Sequence, residues 1–358
     1  PPLLKSDDTI VTDDHQKATL LNEHFLLQST IDIPDSRLPQ PHTANRPPTI
    51  DTITTNEHEV LHILNSLDPN KSTGPDGLPV KFLKLTALLI AKPLSQLFNK
   101  SLSSGIFPAE FKEAIVKPIF KKKGSPSDPT SYRPISILSA ISKVFEKIVH
   151  KHIYTHMTEH ALLTDRQSGY RKYHNTDIQL HYFTHNLYKS LDTGLDFTAI
   201  YLDISKYFDK IWHKGLLHKC ENEFGISGAL LNWLKSYLSD RTQRVKIRNS
   251  LSEQGKINAG CPQGSVVGPL LALIYLNDLA TRTHHDILFF ADDTSLYASH
   301  SPDTLLTTQT TLQSDLEEIY KYGQEWAITF NSNKTIKQTF SLKHTNQKPA
   351  LSSPQHDY

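Results

Sequence analysis

Five apolar residues, Ile287-Leu-Phe-Phe-Ala291, run directly into two adjacent carboxylates, Asp292 and Asp293. A run this short, rich in aromatic and branched side chains, is the pattern of a buried strand. Thr294-Ser-Leu-Tyr297 reads as a second strand, so the aspartates are expected at the tip of a β-hairpin. Adjacent carboxylates against apolar walls repel each other and lose hydration unless a cation sits between them. Oxygen-only ligands favour Mg²⁺ or Mn²⁺ for that cation. A plain polar turn accounts for the same residues, since aspartate is common in turns. On this stretch alone, the turn is the commoner explanation.

The rest of the chain supplies a third carboxylate. Phe197-Thr-Ala-Ile-Tyr-Leu202 is a strand by residue type, and it ends on Asp203. If the two strands lie side by side, Asp203, Asp292 and Asp293 meet. Three carboxylates suffice for two Mg²⁺ ions about 3.5–4 Å apart, which activate an attacking hydroxyl and stabilise a leaving pyrophosphate. Phosphoryl transfer needs positioning and charge neutralisation more than covalent chemistry.

Other segments fit a partner carrying phosphates. Ala114–Phe120 reads as a strand that runs into Lys121, Lys122 and Lys123, with Arg133 returning after a turn. This cluster could grip a polyphosphate or be a solvated hairpin. Arg244, Lys246 and Arg248 alternate and share one strand face, which suits a nucleic-acid backbone or solvent equally. Gly260-Cys-Pro-Gln-Gly-Ser265 is a loop that presents Gln263 and opens a nearly apolar helix from Val266 to Leu276. Further helices are expected at His15–Leu27, from Asn56, at Val80–Leu102, Ala140–His156, Thr176–Leu191, Gly228–Leu238 and Leu316–Ile328. Gln167-Ser-Gly-Tyr-Arg171 is a short polar segment, and residues 29–50 look like a proline-rich linker.

Composition narrows the class. The formal net charge of the 358 residues is +1, so any nucleic-acid surface rests on local clusters. The two cysteines, Cys220 and Cys261, are far apart, which argues against a disulfide framework or zinc knuckle and fits a reducing compartment. No apolar run reaches the roughly 18 residues of a membrane span. The chain opens on Pro1-Pro2 and its one methionine is Met157, the pattern of an excerpt from a longer reading frame.

The order of segments resembles the reverse transcriptase of non-long-terminal-repeat, jockey-like retrotransposons over roughly residues 55–340. The residues are Gly74-Pro-Asp-Gly77, Tyr132-Arg-Pro-Ile-Ser136, Gln167-Ser-Gly-Tyr-Arg171, Leu202-Asp-Ile-Ser-Lys206 with Phe208-Asp209, Pro262-Gln-Gly-Ser265 with Gly268-Pro-Leu-Leu271, Asn277-Asp-Leu279, Phe290-Ala-Asp-Asp293, and Asn331 with Lys334-Thr335. The resemblance implies an α+β right-hand polymerase with fingers and an antiparallel palm sheet backed by helices. It implies an N-terminal helix and linker at 1–50, fingers and fingers–palm region at 51–195, palm at 196–340 and an irregular tail at 341–358. Asp203, Asp292 and Asp293 would bind two Mg²⁺ ions, with Mn²⁺ as a substitute. Lys334 would be the general acid for pyrophosphate. Lys121 or a neighbouring lysine, with Arg133, would hold the triphosphate, Phe208 would exclude a ribose 2′-hydroxyl, and Gln263 would contact the incoming nucleotide and template region. The implied partners are an RNA template, a DNA primer and deoxynucleoside triphosphates, in the cytoplasm and nucleus, with no membrane.

Three features depart from the family. Tyr207 stands where alanine is usual and would crowd the nucleotide, unless neighbouring changes make space for it. Ala272 stands where a large aromatic is common. The strand pair and thumb expected after Lys334 are not recognisable. Two competing functions follow: an RNA-directed RNA polymerase, which Phe208 and the Phe-Ala-Asp-Asp form argue against, and a catalytically impaired or dead RNA-binding remnant.

Overall fold

A computed structural model describes residues 2–4, 9–31, 33, 38–39 and 47–342. Much of the expected linker and nearly all of the expected tail lie outside the described residues. In chain order the elements are β1 (Leu3–Leu4), β2 (Ile10–Val11), α1 (Asp14–Gln28), α2 (Glu57–Asn65), α3 (Val80–Leu85), α4 (Ala87–Ser104), β3 (Glu113–Phe120), β4 (Tyr132–Ile137), α5 (Ala140–Glu159), α6 (Thr176–Asp192), β5 (Asp196–Leu202), α7 (His213–Asn222), α8 (Gly228–Leu238), β6 (Arg241–Ile247), β7 (Ser250–Leu251), β8 (Gly255–Ile257), α9 (Val267–Leu276), β9 (Asp286–Phe290), β10 (Asp293–His300), α10 (Leu305–Trp326) and β11 (Ile336–Phe340). The result is a mixed α/β chain, and it forms two interleaved units, Pro1–Leu162 with Phe208–Ile274 and Leu163–Tyr207 with Tyr275–Tyr358.

In the first unit, β4, β3, β6 and β7 form a sheet in that order, with β8 also paired to β6. Strand β3 is antiparallel to β4 and parallel to β6, with Val116 opposite Ser136 and Val245. Val116, Tyr132 and Val245 pack against Ala18, Leu21 and Phe25 of α1. Burying an apolar side chain of this size contributes about 1.5–3 kcal/mol. Of the alternation expected at Arg244, Lys246 and Arg248, the first two hold, facing outward while Arg241, Gln243 and Val245 face inward; Arg248 lies past the end of β6, where the chain turns with φ +52°. The helical part of this unit centres on aromatics, with Phe98 stacked on Phe145 at 4.3 Å and Phe107 edge-on to Trp233 at 5.1 Å.

Local chemistry sets the helix ends. The side chains of Asp13, Asn56 and Asn175 accept hydrogen bonds from Gln16, Glu59 and Ile178 backbone N–H groups and start α1, α2 and α6. The single helix expected over Val80–Leu102 is two, α3 and α4, broken at Thr86. Thr86 bonds back to the Phe82 carbonyl through its hydroxyl, a local competitor of the helical ladder.

In the second unit, the sheet runs β11-β5-β10-β9 and every pairing is antiparallel. Leu296 and Ile200 stand opposite each other and are buried on one face. On the other face Phe183 and Leu187 of α6 cover Phe197, Ala199 and Tyr297. After Lys334, where the sequence shows no recognisable strand pair, the described residues form one strand, β11, whose backbone pairs with β5 from Ile336 opposite Tyr201 to Phe340 opposite Phe197.

Candidate active site

Strand β9 stops at Phe290 and β10 starts at Asp293, which are paired, so Ala291 and Asp292 make a two-residue hairpin turn. Such turns need positive φ to match the twist of the strands, and Ala291 has φ +59°. Strand β10 also pairs with β5, with Thr294 opposite Leu202. One further step in that register sets Asp293 beside Asp203, on the same sheet face because side chains alternate with period two. Both aspartates line a cleft of about 450 Å³ together with Tyr201, Asn333 and Lys334.

Asp203 is tied to the segment that carries Lys334. The Asn331 N–H donates to the Asp203 carbonyl at 2.8 Å, and Ser205 N–H donates to Thr329 at 2.8 Å. The chain then turns through a short 3₁₀ helix at Ser332–Lys334, capped by the Asn331 side chain. This turn brings the Lys334 ammonium to 3.0 and 3.2 Å from the two oxygens of Asp203. The pair is solvated, with side chains 64% and 33% exposed for Lys334 and Asp203.

The two carboxylates that line this cleft, Asp203 and Asp293, offer the oxygen ligands a hard divalent ion takes. A cation, the Lys334 ammonium, already bridges both oxygens of Asp203. Among the described residues, no three His, Cys, Asp or Glu side chains are grouped closely enough to share one ion. Asp203 and Asp293 on the sheet face and Asp292 at the turn are the carboxylates of this edge, and as placed they do not form such a group.

The remaining expected site residues belong to the first unit. Lys121 follows β3 and its ammonium donates to the Thr130 carbonyl at 2.7 Å. Arg133 is exposed on β4, opposite Ile119. Phe208 is half-buried, and its carbonyl accepts from Cys261 N–H at 2.8 Å. Gly260 lies so close to this segment that a Cβ would come within 2.6 Å of the Phe208 and Asp209 carbonyl oxygens. The same loop presents Gln263, whose Nε2 donates to Asp209 at 2.7 Å while its carbonyl accepts from Ser136 N–H at 2.8 Å. Gln263 and Phe208 thus stand on two strips of backbone held together by hydrogen bonds.

Two buried polar residues were not foreseen. Glu146 is fully buried on α5 and accepts from the N–H groups of Val266 and Val267 at 2.7 and 3.2 Å, so a carboxylate caps the start of α9. Gln167, also buried, contacts the backbone of Ala291 in the Asp-Asp turn. Neither shows as a periodic pattern; for Gln167 the available signal was its motif and the glycine two residues on. Tyr207 is buried as well. Its ring lies 6.5 Å from that of Tyr275, which meets Trp326 edge-on at 6.3 Å. The accommodating alternative for Tyr207 is therefore the one with structural support.

A family model for reverse transcriptase (RNA-dependent DNA polymerase) matches residues 120–349. The chain belongs to the reverse transcriptase family. It is 33% identical over 293 residues to the protein named "Probable RNA-directed DNA polymerase from transposon BS" of Drosophila melanogaster, covering 80% of this chain and 32% of that protein. It is 30% identical over 302 residues to the RNA-directed DNA polymerase from mobile element jockey of the same fly, covering 82% of this chain and 32% of the relative. The chain therefore spans about a third of the length of these curated relatives. The resemblance to jockey-like retrotransposon polymerases is borne out. Among the described residues, no helix of this chain is long and apolar enough to cross a membrane.

Proposed function

We propose that this chain is the polymerase part of a jockey-like, non-long-terminal-repeat retrotransposon protein and extends a DNA primer by copying an RNA template. The observation that carries the reading is the β5–β10 register, which sets Asp203 beside Asp293 on one sheet face with Asp292 in the adjoining turn. Membership of the reverse transcriptase family supports it. In this reading the fold is a right hand, with fingers and fingers–palm region at 51–195 and palm at 196–340.

Asp203, Asp292 and Asp293 are the residues that would hold two divalent ions, Mg²⁺ or Mn²⁺. Ions held there would supply the positive charge that activates a primer 3′-hydroxyl and neutralises the triphosphate. The chain's own residues do the positioning. Lys121 and Arg133 take triphosphate oxygens through charge-assisted hydrogen bonds. Phe208 blocks the volume of a ribose 2′-hydroxyl. Gln263, braced by Asp209, meets the nucleotide and template. Lys334 leaves Asp203 and gives its proton to the departing pyrophosphate, a transfer worth about 10²–10⁴-fold for a well-placed acid.

The test is primer extension on an RNA template with Mg²⁺ and either deoxynucleotides or ribonucleotides. Extension with deoxynucleotides is expected. Extension with ribonucleotides alone would identify an RNA-directed RNA polymerase, and RNA binding without extension would identify a binding remnant.

A further inference from the structure

The Asp-Asp turn is held from outside its own hairpin. Strand β9 is the edge of its sheet, and its free side is covered by the segment Arg166–Gly169. Phe289 N–H donates to the Arg166 carbonyl at 2.9 Å, and Ser168 N–H donates to the Phe289 carbonyl at 2.9 Å. Beyond Phe290 the backbone pairing ends and a side chain continues it. Gln167 Oε1 accepts from the N–H groups of Ala291 at 3.0 Å and Gly169 at 2.7 Å, while its Nε2 donates to the Ala291 carbonyl at 3.1 Å. Two N–H donors on one atom and a carbonyl on the other fix which end of the amide is which.

The contact falls on a residue in an unusual conformation. Ala291 has φ +59°, a region that disfavours residues with a Cβ. It immediately precedes Asp292. The approach is as close as the backbone allows, since a Cβ on Gly169 would meet Ala291 N at 2.1 Å and its Cα at 2.9 Å. Backbone cannot yield to that extent. Gln167 and Gly169 therefore both meet the turn.

We propose that Gln167 is a positioning residue for the catalytic carboxylates: its amide reads both polar groups of the Ala291 peptide backbone and holds the turn in the left-handed conformation that aims Asp292 and Asp293. Gly169 makes the approach possible. The inference rests on the reading of those aspartates as metal ligands.

The test uses the whole chain and Mn²⁺ alone, with affinity measured by electron paramagnetic resonance. The variants are Gln167→Ala, Gln167→Ala with Ala291→Gly, and Asp292→Asn. Amide hydrogen exchange over residues 287–296 and urea unfolding are followed in parallel. Gln167→Ala is expected to weaken Mn²⁺ binding by about 10- to 100-fold, the usual effect of losing a group that orients a ligand. It should also speed exchange at the turn. Glycine takes positive φ freely, so Ala291→Gly should recover most of the Mn²⁺ affinity in the Gln167→Ala background. A merely structural glutamine predicts a lower urea midpoint, unchanged Mn²⁺ affinity of the folded fraction and no rescue by glycine, and that result overturns the proposal. If Asp292→Asn binds Mn²⁺ as tightly as the parent, the metal reading itself fails and the role of Gln167 falls with it. A loss in Asp292→Asn with none in Gln167→Ala would overturn the positioning role alone.

Discussion

Replacing Tyr207 by alanine separates two accounts of the segment that follows Asp203. In the structure the Tyr207 side chain is 4% exposed and begins a buried aromatic cluster with Tyr275, Tyr322 and Trp326. That cluster is cross-linked by hydrogen bonds. The Tyr275 hydroxyl donates to the Trp326 carbonyl, and the Tyr322 hydroxyl donates to Asp278 at 2.6 Å. Alanine at 207 removes a whole ring beside rigid neighbours that cannot collapse onto the space. The cost of truncating a buried aromatic is about 3–5 kcal/mol. Against a typical total stability of roughly 5–15 kcal/mol, this is a large fraction. Tyr207→Phe keeps the ring and is expected to cost less than about 1.5 kcal/mol. Urea unfolding of the three proteins gives the stabilities, and single-nucleotide incorporation on an RNA template gives the catalytic effect. The expected result is a much less stable alanine variant with no gain in incorporation. An alanine variant as stable as the parent that incorporates deoxynucleotides faster would refute the reasoning and return Tyr207 to the nucleotide pocket.

Lys334→Met should split two readouts. The exposed pair with Asp203 is worth about 0.2–1 kcal/mol, so its loss should tighten Mn²⁺ binding by up to about fivefold, while loss of the proposed acid should slow incorporation. Weaker Mn²⁺ binding would contradict the competition between ammonium and ion. Asp315 supplies a pH prediction. Burial pushes its carboxyl up, but the N–H groups and rings of His284 and His285 outweigh burial and hold it below the ordinary range. A depressed carboxyl stabilises the fold above its unfolded value of about 3.9, and the contribution is lost as pH falls through the folded value. Asp315→Asn should therefore lower stability at neutral pH by about 1.5–3 kcal/mol and flatten the acid side of the stability–pH curve. An unchanged acid limb would place that titration elsewhere.

The elements around the site were legible because their apolar runs are short, dense and bounded. Strands β5 and β10, with β9, follow directly from Phe197–Leu202 and Ile287–Tyr297, and their carboxylates mark the ends. Other elements lack such a pattern. Helix α7 begins His213-Lys-Gly and has few apolar positions, yet Leu216 and Cys220 bury one face. The first turns of α10 are rich in threonine, a poor helix former, so the expected start at Leu316 falls well inside the observed helix. Strand β11 reads Ile-Lys-Gln-Thr-Phe and is mostly exposed; backbone pairing with β5 defines it, which no side-chain periodicity reports. Gln167 and Glu146 each act through hydrogen bonds from one side chain to distant backbone, and only three-dimensional pairing reveals those. Within the site, the three aspartates were placed by the strand ends, whereas the hold of Lys334 on Asp203 depended on the Asn331 turn.

In the proposed function, Asp203, Asp292 and Asp293 form the catalytic edge of an RNA-templated DNA polymerase. The most direct measurement is primer extension by the Asp292→Asn variant on an RNA template, with RNA affinity measured on the same preparation. The proposed template contacts are basic residues elsewhere, so extension should be lost while RNA affinity stays close to the parent's. Extension at the parent's rate would contradict the account, and so would loss of RNA binding in step with loss of extension.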